Sequence, residues 1–223
     1  MTKPLLVFDL DGTLLETAPD LVGTLNEILT EQGLQPIPLA TAKTFIGQGA
    51  KMMIENGFAA NNDTVSADRL DGLMTSFLQK YEARIARETY PFPGLLDALD
   101  RLQQEGWALA VCTNKHERLA RLLLEELGLT GRFVVITGGD TFDHKKPHPE
   151  HLLKTVELAG AKVDQSIMIG DSSSDINAAK AASIPVIAVD FGYTPVPVSE
   201  LGPDLIISHF DQIHDAIKTI SGR

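Results

Sequence analysis

Six short apolar runs, each stopping at a small or polar residue, constrain this chain more than any other feature. They are LLVF (Leu5 to Phe8), ALAVC (Ala108 to Cys112), FVVIT (Phe133 to Thr137), SIMIG (Ser166 to Gly170), PVIAV (Pro185 to Val189) and, more weakly, DLIIS (Asp204 to Ser208). A brief apolar stretch without alternation is what a strand buried on both faces needs, and parallel strands are buried that way. Helical patterns lie between them. GLLDALDRLQQEG stops at Gly106, KHERLARLLLEELG at Gly128, and PEHLLKTVELAG opens at Pro149 and stops at Gly160, while SDINAAKAAS follows the fourth run. Proline near a helix start and glycine past its end suit both residues. The rhythm predicts an α/β fold, a doubly wound Rossmann-like parallel sheet between helices.

One stretch breaks the rhythm. From Ala18 to Arg87 the patterns are helical, as in APDLVGTLNEILTEQG and SADRLDGLMTSFLQKYEARIARE, with no convincing strand. Roughly 70 residues is too long for a loop, so this segment reads as an inserted helical unit. TYPFPGL then returns to the layered pattern, its prolines suiting a stiff hinge. The division expected is a Rossmann-like layered core of residues 1–15 and 89–223 and an all-helical insertion of residues 16–88.

The strand ends carry the chemistry. In VFDLDGTLLE, Asp9 and Asp11 lie two apart, so on extended chain both carboxylates can face one cavity, with Gly12 letting the backbone turn beyond them. Alone, the pair could be a turn or a helix cap. MIGDSSSDI adds Asp171 and Asp175 at the end of the fourth run. Four converging carboxylates repel, each close pair by roughly 4 kcal/mol at 4 Å and an effective dielectric near 20. Such a cluster calls for a cation or retained protons. All-oxygen ligands beside a phosphate favour Mg²⁺, and the chain has no EF-hand spacing to favour calcium.

Thr113 follows the second run in VCTNKHE and offers a hydroxyl beside amides expected to open a helix, a phosphate cradle. HKKPHPE places Lys145 and Lys146 before a proline, and one ammonium turned inward would balance carboxylates and a phosphoryl group. Each of these features has an ordinary alternative as a helix cap or a solvated face; their shared address, just past buried strands, gives them weight. Together they suit phosphoryl transfer, with one carboxylate attacking phosphorus and another moving protons. The residues alone do not say which does which.

These motifs resemble the haloacid dehalogenase-like superfamily over nearly the whole chain. LVFDLDGTL matches its hhhhDxDGT motif, Thr113 its strand-end Thr or Ser, Lys146 in KKPHP its lysine, and GDSSSD its GDxxxD. The resemblance implies a core sheet of order 5-4-1-2-3 with an inserted helical cap. It implies Asp9 as nucleophile and Asp11 as general acid/base. Thr113, the Asn114 backbone and Lys146 would hold phosphoryl oxygens. Mg²⁺ would sit on Asp9, the Asp11 carbonyl and Asp171, with Asp175 acting through water or by orienting its neighbours. VCTNK, VITGGD, KKPHPEHLL and the segment FIGQGAKMM look more narrowly like bacterial phosphoglycolate phosphatases. In that segment Gly47 and Gly49 would form a turn over the substrate, the alternative being a simple bend between helices.

The activity implied is Mg²⁺-dependent hydrolysis of a small phosphorylated metabolite, 2-phosphoglycolate foremost. Relatives of the same core act on pyrophosphate, sugar phosphates or phosphonates, or isomerise sugar phosphates. A phosphonate hydrolase would need a Schiff-base lysine, for which Lys43, Lys51 and Lys80 are candidates. A non-catalytic phosphate-binding or regulatory protein is the alternative from another class. Ser172, Ser173 and Ser174 receive no role. His116, His144 and His148 are expected on the surface, and Trp107, Phe45, Phe58, Phe77 and Tyr81 in the core.

A net charge of −11 argues against nucleic acid or an anionic membrane as partner, though not against a small anion held in a pocket. Cys112 is the sole cysteine, so no intrachain disulfide forms. MTKPLLVF is too short an apolar run for a secretory signal, and no run reaches the ~18 residues of a membrane span. A cytoplasmic protein is expected, as monomer or homodimer.

Overall fold

Leu5, Leu6, Val7 and Phe8 are all fully buried, as only a strand covered on both faces can be. Each such side chain contributes about 1.5–3 kcal/mol by leaving water. They form β1 (Leu5–Phe8) in a computed structural model that describes residues 3–47 and 49–222. Gln48, inside FIGQGAKMM, lies outside the described residues. After β1 come β2 (Leu15–Glu16), the helices α1 (Ala18–Glu31), α2 (Leu39–Ala42), α3 (Ala50–Ala60) and α4 (Ala67–Glu82), and then β3 (Tyr90–Pro91). The rest alternates: α5 (Leu95–Gln104), β4 (Ala108–Cys112), α6 (Glu117–Glu126), β5 (Val135–Thr137), α7 (Pro149–Leu158), β6 (Ser166–Gly170), α8 (Ser173–Ala181), β7 (Val186–Val189), β8 (Leu205–Ile207) and α9 (Ile213–Ser221).

The main sheet is parallel and runs β5-β4-β1-β6-β7-β8. With the core strands counted one to five along the chain and read from the far edge, this is the expected 5-4-1-2-3. β8, the weakest of the six runs, extends the sheet beyond the fifth strand. Alternate side chains go to opposite faces. Leu6 and Phe8 join one apolar cluster with Leu109, Val111 and Ile169; Leu5 and Val7 join another with Ala110, Met168 and Val186. The first cluster continues without a break into Leu25, Phe58, Phe77 and Tyr81 of the helices between β2 and β3.

β2 and β3 pair antiparallel where the chain leaves and re-enters the sheet domain, Leu15 opposite Pro91 and Glu16 opposite Tyr90. Asp20, fully buried on α1, secures the return crossing: its Oδ2 accepts from the Glu88 amide at 2.8 Å and the Thr89 hydroxyl at 2.9 Å. Arg84 completes the set at 3.3 Å from Oδ1.

Among the boundaries that differ from the sequence pattern, two have a bearing on the strand ends. The third strand begins at Val135 rather than Phe133, because Val134 at this edge is 60% exposed. The helix expected directly after Thr113 begins only at Glu117. Cys112 is buried, and burial raises its thiol to about 11, which keeps it protonated and inert. No helix among the described residues is long and apolar enough to cross a membrane.

Candidate active site

Phe8 pairs in register with Val111 on one side and Ile169 on the other, so three strands end at one level. The chain emerging from each carries a polar residue into the same crevice: Asp9 and Asp11 after β1, Thr113 after β4, Asp171 after β6. Backbone groups at strand ends need partners, and these side chains supply several of them. The Asp9 Oδ1 accepts from the Leu10 amide at 2.7 Å, while the Asp9 amide donates to the Ile169 carbonyl at 2.9 Å.

Lys146 reaches this point from the loop before α7. It is only 1% exposed, and its Nζ lies 3.1 Å from the Asp9 Oδ1 and 2.6 Å from the Asp175 Oδ1. The other Asp175 oxygen accepts from the Ser172 amide at 3.0 Å and the Ser172 hydroxyl at 2.6 Å, forming a capping box at the start of α8. Ser172 therefore fixes the carboxylate that faces Lys146. The Lys146 amide is held in turn by the His151 Nδ1 at 3.3 Å. Burial, then the nearby Lys146 charge, pushes His151 down to about 3, so it stays a neutral acceptor.

Asp171 is anchored through both oxygens. Oδ1 accepts from the Thr13 hydroxyl at 3.1 Å and Oδ2 from the Tyr193 amide at 2.7 Å. The second contact requires Gly192, where any Cβ would meet the Asp171 side chain at 2.2–2.6 Å. The phenol of Tyr193 then extends to the crossing into α1. It donates to the Glu16 Oε1 at 2.6 Å and accepts from the amides of Thr17 at 2.7 Å and Ala18 at 3.1 Å. The first amides of a helix have no partner within it, and here a tyrosine from beyond β7 takes the role of cap. Lys43 closes the set, 2.7 Å from Glu16 and 5.3 Å from the Tyr193 ring centroid.

Asp9, Asp171 and Asp175 offer oxygens within 4.8 Å of one another, all deeply buried. Burial, then Asp175, raises Asp9 to about 7 despite the opposing pull of Lys146. Burial, then Asp175 and Asp9, also raises Asp171 well above the usual carboxylate range, against its bonds to Tyr193 and Thr13. Burial would depress Lys146, but Asp175 and Asp9 outweigh it and hold the ammonium charged. One ammonium is too little positive charge for three buried carboxylates. The deficit, the all-oxygen donors and the engagement of Asp175 elsewhere fit a hard divalent cation on Asp9 and Asp171, with Asp175 behind them.

Asp11 is not among the carboxylates with oxygens within 4.8 Å of one another, but it is near enough to Asp9 to raise it further. Both of its oxygens hold the Lys115 ammonium, at 2.9 and 3.0 Å. Asp9 and Asp11 nonetheless face one cavity of about 410 Å³, with Thr113, Asn114 and Lys115 in its floor. Its roof comes from the helices between β2 and β3, through Leu21, Met53, Phe77 and Tyr81. Phe77 and Tyr81, expected only as core, are both core and cavity wall; Phe45 is only partly buried.

Gly47 and Gly49 also line the cavity, with φ of +101° and +98° that favour glycine. The Asn114 side chain donates to the Gly47 carbonyl at 3.1 Å and the Lys146 carbonyl at 3.0 Å, joining this turn to the sheet domain. Thr113 is buried, but its amide is committed to the Thr137 carbonyl at 3.0 Å, so the expected cradle cannot use that N–H. Of the candidate Schiff-base lysines, Lys51 lines the cavity, whereas Lys43 pairs with Glu16 and Lys80 with Glu31. His144 and His148 are exposed and stack at 4.1 Å, and the adjacent Glu150 is paired with Lys154 at 2.5 Å.

The family model for haloacid dehalogenase-like hydrolases matches residues 6–189. The chain belongs to this family. Among its relatives, the phosphoglycolate phosphatase of Mesorhizobium japonicum is 45% identical over 213 residues, covering 96% of this chain and 94% of that one. The phosphoglycolate phosphatase of Agrobacterium fabrum is 47% identical over 215 residues, covering 96% and 92%. A crystal structure of a predicted phosphoglycolate phosphatase from Haemophilus somnus superposes with a TM-score of 0.90 at 27% identity, covering 97% of this chain and 98% of that one. Family and relatives together make this haloacid dehalogenase-like hydrolase a phosphatase.

Lys115, Tyr193 and the bridging side chains of Ser172 and Asn114 escaped the sequence reading. Lys115 and Tyr193 both lie just past buried strands, the address that singled out Thr113 and Asp171. What the sequence does not display is that each reaches a partner far along the chain.

Proposed function

We propose that this chain is a Mg²⁺-dependent phosphomonoesterase that converts 2-phosphoglycolate to glycolate and phosphate through a phosphoaspartate on Asp9. The observation that carries the reading is the buried Asp9 held beside Lys146 and Asp171 at the floor of a cavity it shares with Asp11. Asp9, the Asp11 carbonyl and Asp171 would hold Mg²⁺, which when bound neutralises charge on the carboxylates and the phosphoryl group. Lys146, the Thr113 hydroxyl and the Asn114 backbone steady the phosphoryl oxygens. A carboxylate oxygen of Asp9 attacks phosphorus as the bond to the leaving oxygen breaks, and Asp11 gives that oxygen its proton. Asp11 then takes a proton from water as the water oxygen attacks phosphorus, releasing phosphate and restoring Asp9.

Residues 16–88 act as the cap in this reading, hinged at the β2–β3 crossing, and the apolar roof of Leu21, Met53 and Phe77 keeps bulk water from the intermediate. The enzyme works on a small metabolite in the cytoplasm. Phosphate release from a panel of esters tests the proposal. 2-Phosphoglycolate should be turned over with Mg²⁺ and not after chelation. Faster release from pyrophosphate would make it a pyrophosphatase, and isomerised sugar phosphate without free phosphate a mutase.

The buried cluster also sets a pH dependence. Metal-free, Asp9 sits at about 7 against an ordinary 3.8. Between those values the folded state binds more protons than the unfolded, so metal-free stability falls as pH rises from about 4 to about 7. Mg²⁺ must displace that proton and binds more tightly above it. The rise in Tm caused by Mg²⁺ should therefore be clearly larger at pH 8 than at pH 5.5. Equal shifts in a thermal melt would mean that the ion sits elsewhere.

A further inference from the structure

We propose that Lys115 selects the leaving group, so that preferred substrates are phosphate monoesters bearing a carboxylate one methylene from the ester oxygen. This deepens the reading above and rests on its placement of phosphorus between Asp9 and Asp11. Lys115 is 9% exposed, its ammonium 2.9 and 3.0 Å from the two Asp11 oxygens and 4.4 Å from the centroid of the Tyr81 ring above it. Among the described basic side chains that line the cavity, Lys51 and Lys145 are exposed and His116 is half-buried against Asp140 at 3.0 Å. Lys146 is buried against Asp9 and Asp175, at the phosphoryl end of the site rather than the leaving-group end. Lys115 is thus the buried ammonium that would face an ester bound in the cavity.

Position gives it the role. The leaving oxygen must come within hydrogen-bond reach of Asp11 to receive its proton. A carboxylate joined to that oxygen through one methylene then lies beside the group on Asp11, which is the Lys115 ammonium. Of the roof's side chains Leu21, Met53 and Phe77 cannot bond a carboxylate, and the polar two are Tyr81, a neutral phenol, and Lys51, an exposed ammonium, so the buried cation that an acidic leaving group meets is Lys115. The exchange also helps the reaction. Both Asp11 oxygens are occupied by the ammonium, and a substrate carboxylate that draws it away frees one of them to hold the proton taken from water in the preceding turnover and pass it to the leaving oxygen. A neutral leaving group has nothing with which to draw it.

The test compares 2-phosphoglycolate with 2-hydroxyethyl phosphate, similar in size but uncharged at the far end, on Mg²⁺-loaded wild type, Lys115→Met and Lys115→Arg. The wild type should prefer the carboxylate ester. In Lys115→Met the ratio of the two kcat/KM values should fall about 10- to 100-fold, the effect of losing a charge-assisted hydrogen bond, whatever loss both substrates share. Lys115→Arg should recover part of the ratio. Glycolate inhibition of 2-hydroxyethyl phosphate turnover should weaken in parallel, and in Lys115→Arg it supplies the answer if the methionine variant does not fold. An equal loss on both esters, or unchanged glycolate inhibition, would overturn the inference and leave Lys115 as a support for Asp11. A wild type that cleaves both without preference overturns it while leaving phosphatase chemistry intact. A wild type that cleaves neither removes the proposed reaction and this inference with it.

Discussion

Asp9→Asn should lower phosphate release by about 10⁴-fold or more while the metal-free protein stays as stable as the wild type or becomes more so. The two effects have one cause. An amide has the shape of the carboxylate but no oxygen able to form an acyl-phosphate, so turnover stops. In the metal-free fold Asp9 is a liability, since burial and Asp175 push its carboxyl up to about 7. Removing that charge relieves the repulsion with Asp171 and Asp175, while the amide oxygen can still accept from the Leu10 amide. Thermal melts should show an equal or higher Tm without metal and a smaller rise on adding Mg²⁺. Retained turnover would dismiss Asp9 as nucleophile; lost turnover together with a collapsed Tm would show that the residue only supports the fold.

Lys146→Met should cost both activity and stability. The methionine fills much of the same volume but leaves Asp9 and Asp175 without the ammonium at 3.1 and 2.6 Å. Removing one partner of a buried ion pair typically costs about 3–5 kcal/mol, because the remaining charge has lost its compensation. Catalysis should fall by a further factor of about 10²–10³, the usual effect of removing one donor to a transferring group. The sign with pH is distinctive. The Asp9 carboxyl takes up its proton below about 7, and a protonated Asp9 does not need Lys146. Urea unfolding should therefore show a larger difference between wild type and variant at pH 8 than at pH 5. A constant difference would mean that the lysine acts through packing.

Much of this was legible because strand burial and ligand placement both leave local marks. LLVF, ALAVC and SIMIG are short and continuously apolar, as two-sided burial demands, and the polar residues after them fall where an open parallel sheet admits ligands. The acidic residues were recognisable from that address, whereas only the family resemblance tells Lys146 from Lys145. FVVIT shows the limit: its first two residues have strand-like character, but Val134 is exposed at the sheet edge and Phe133 stays outside the strand. The partners of the strand-end groups were harder to read. Lys115 and Asp11 are 104 residues apart, Asn114 and Gly47 are 67 apart, and Tyr193 and Glu16 are 177 apart. No local periodicity encodes such pairings; they exist only once the sheet has brought its ends together. Asp11 is the instructive case. Its spacing from Asp9 aims it at the same cavity, but nothing local shows that Lys115 holds both of its oxygens there.

Tyr193 grips Asp171, proposed above as a metal ligand, with its backbone and the start of α1, proposed as the edge of the cap, with its ring oxygen. Communication through such a strut is mutual: if a captured divalent ion stiffens the pivot, then bracing the pivot must tighten capture by the same factor. An engineer who rigidified the doorway at Glu16 and Lys43 would retune the enzyme's appetite for metal without altering a single ligand.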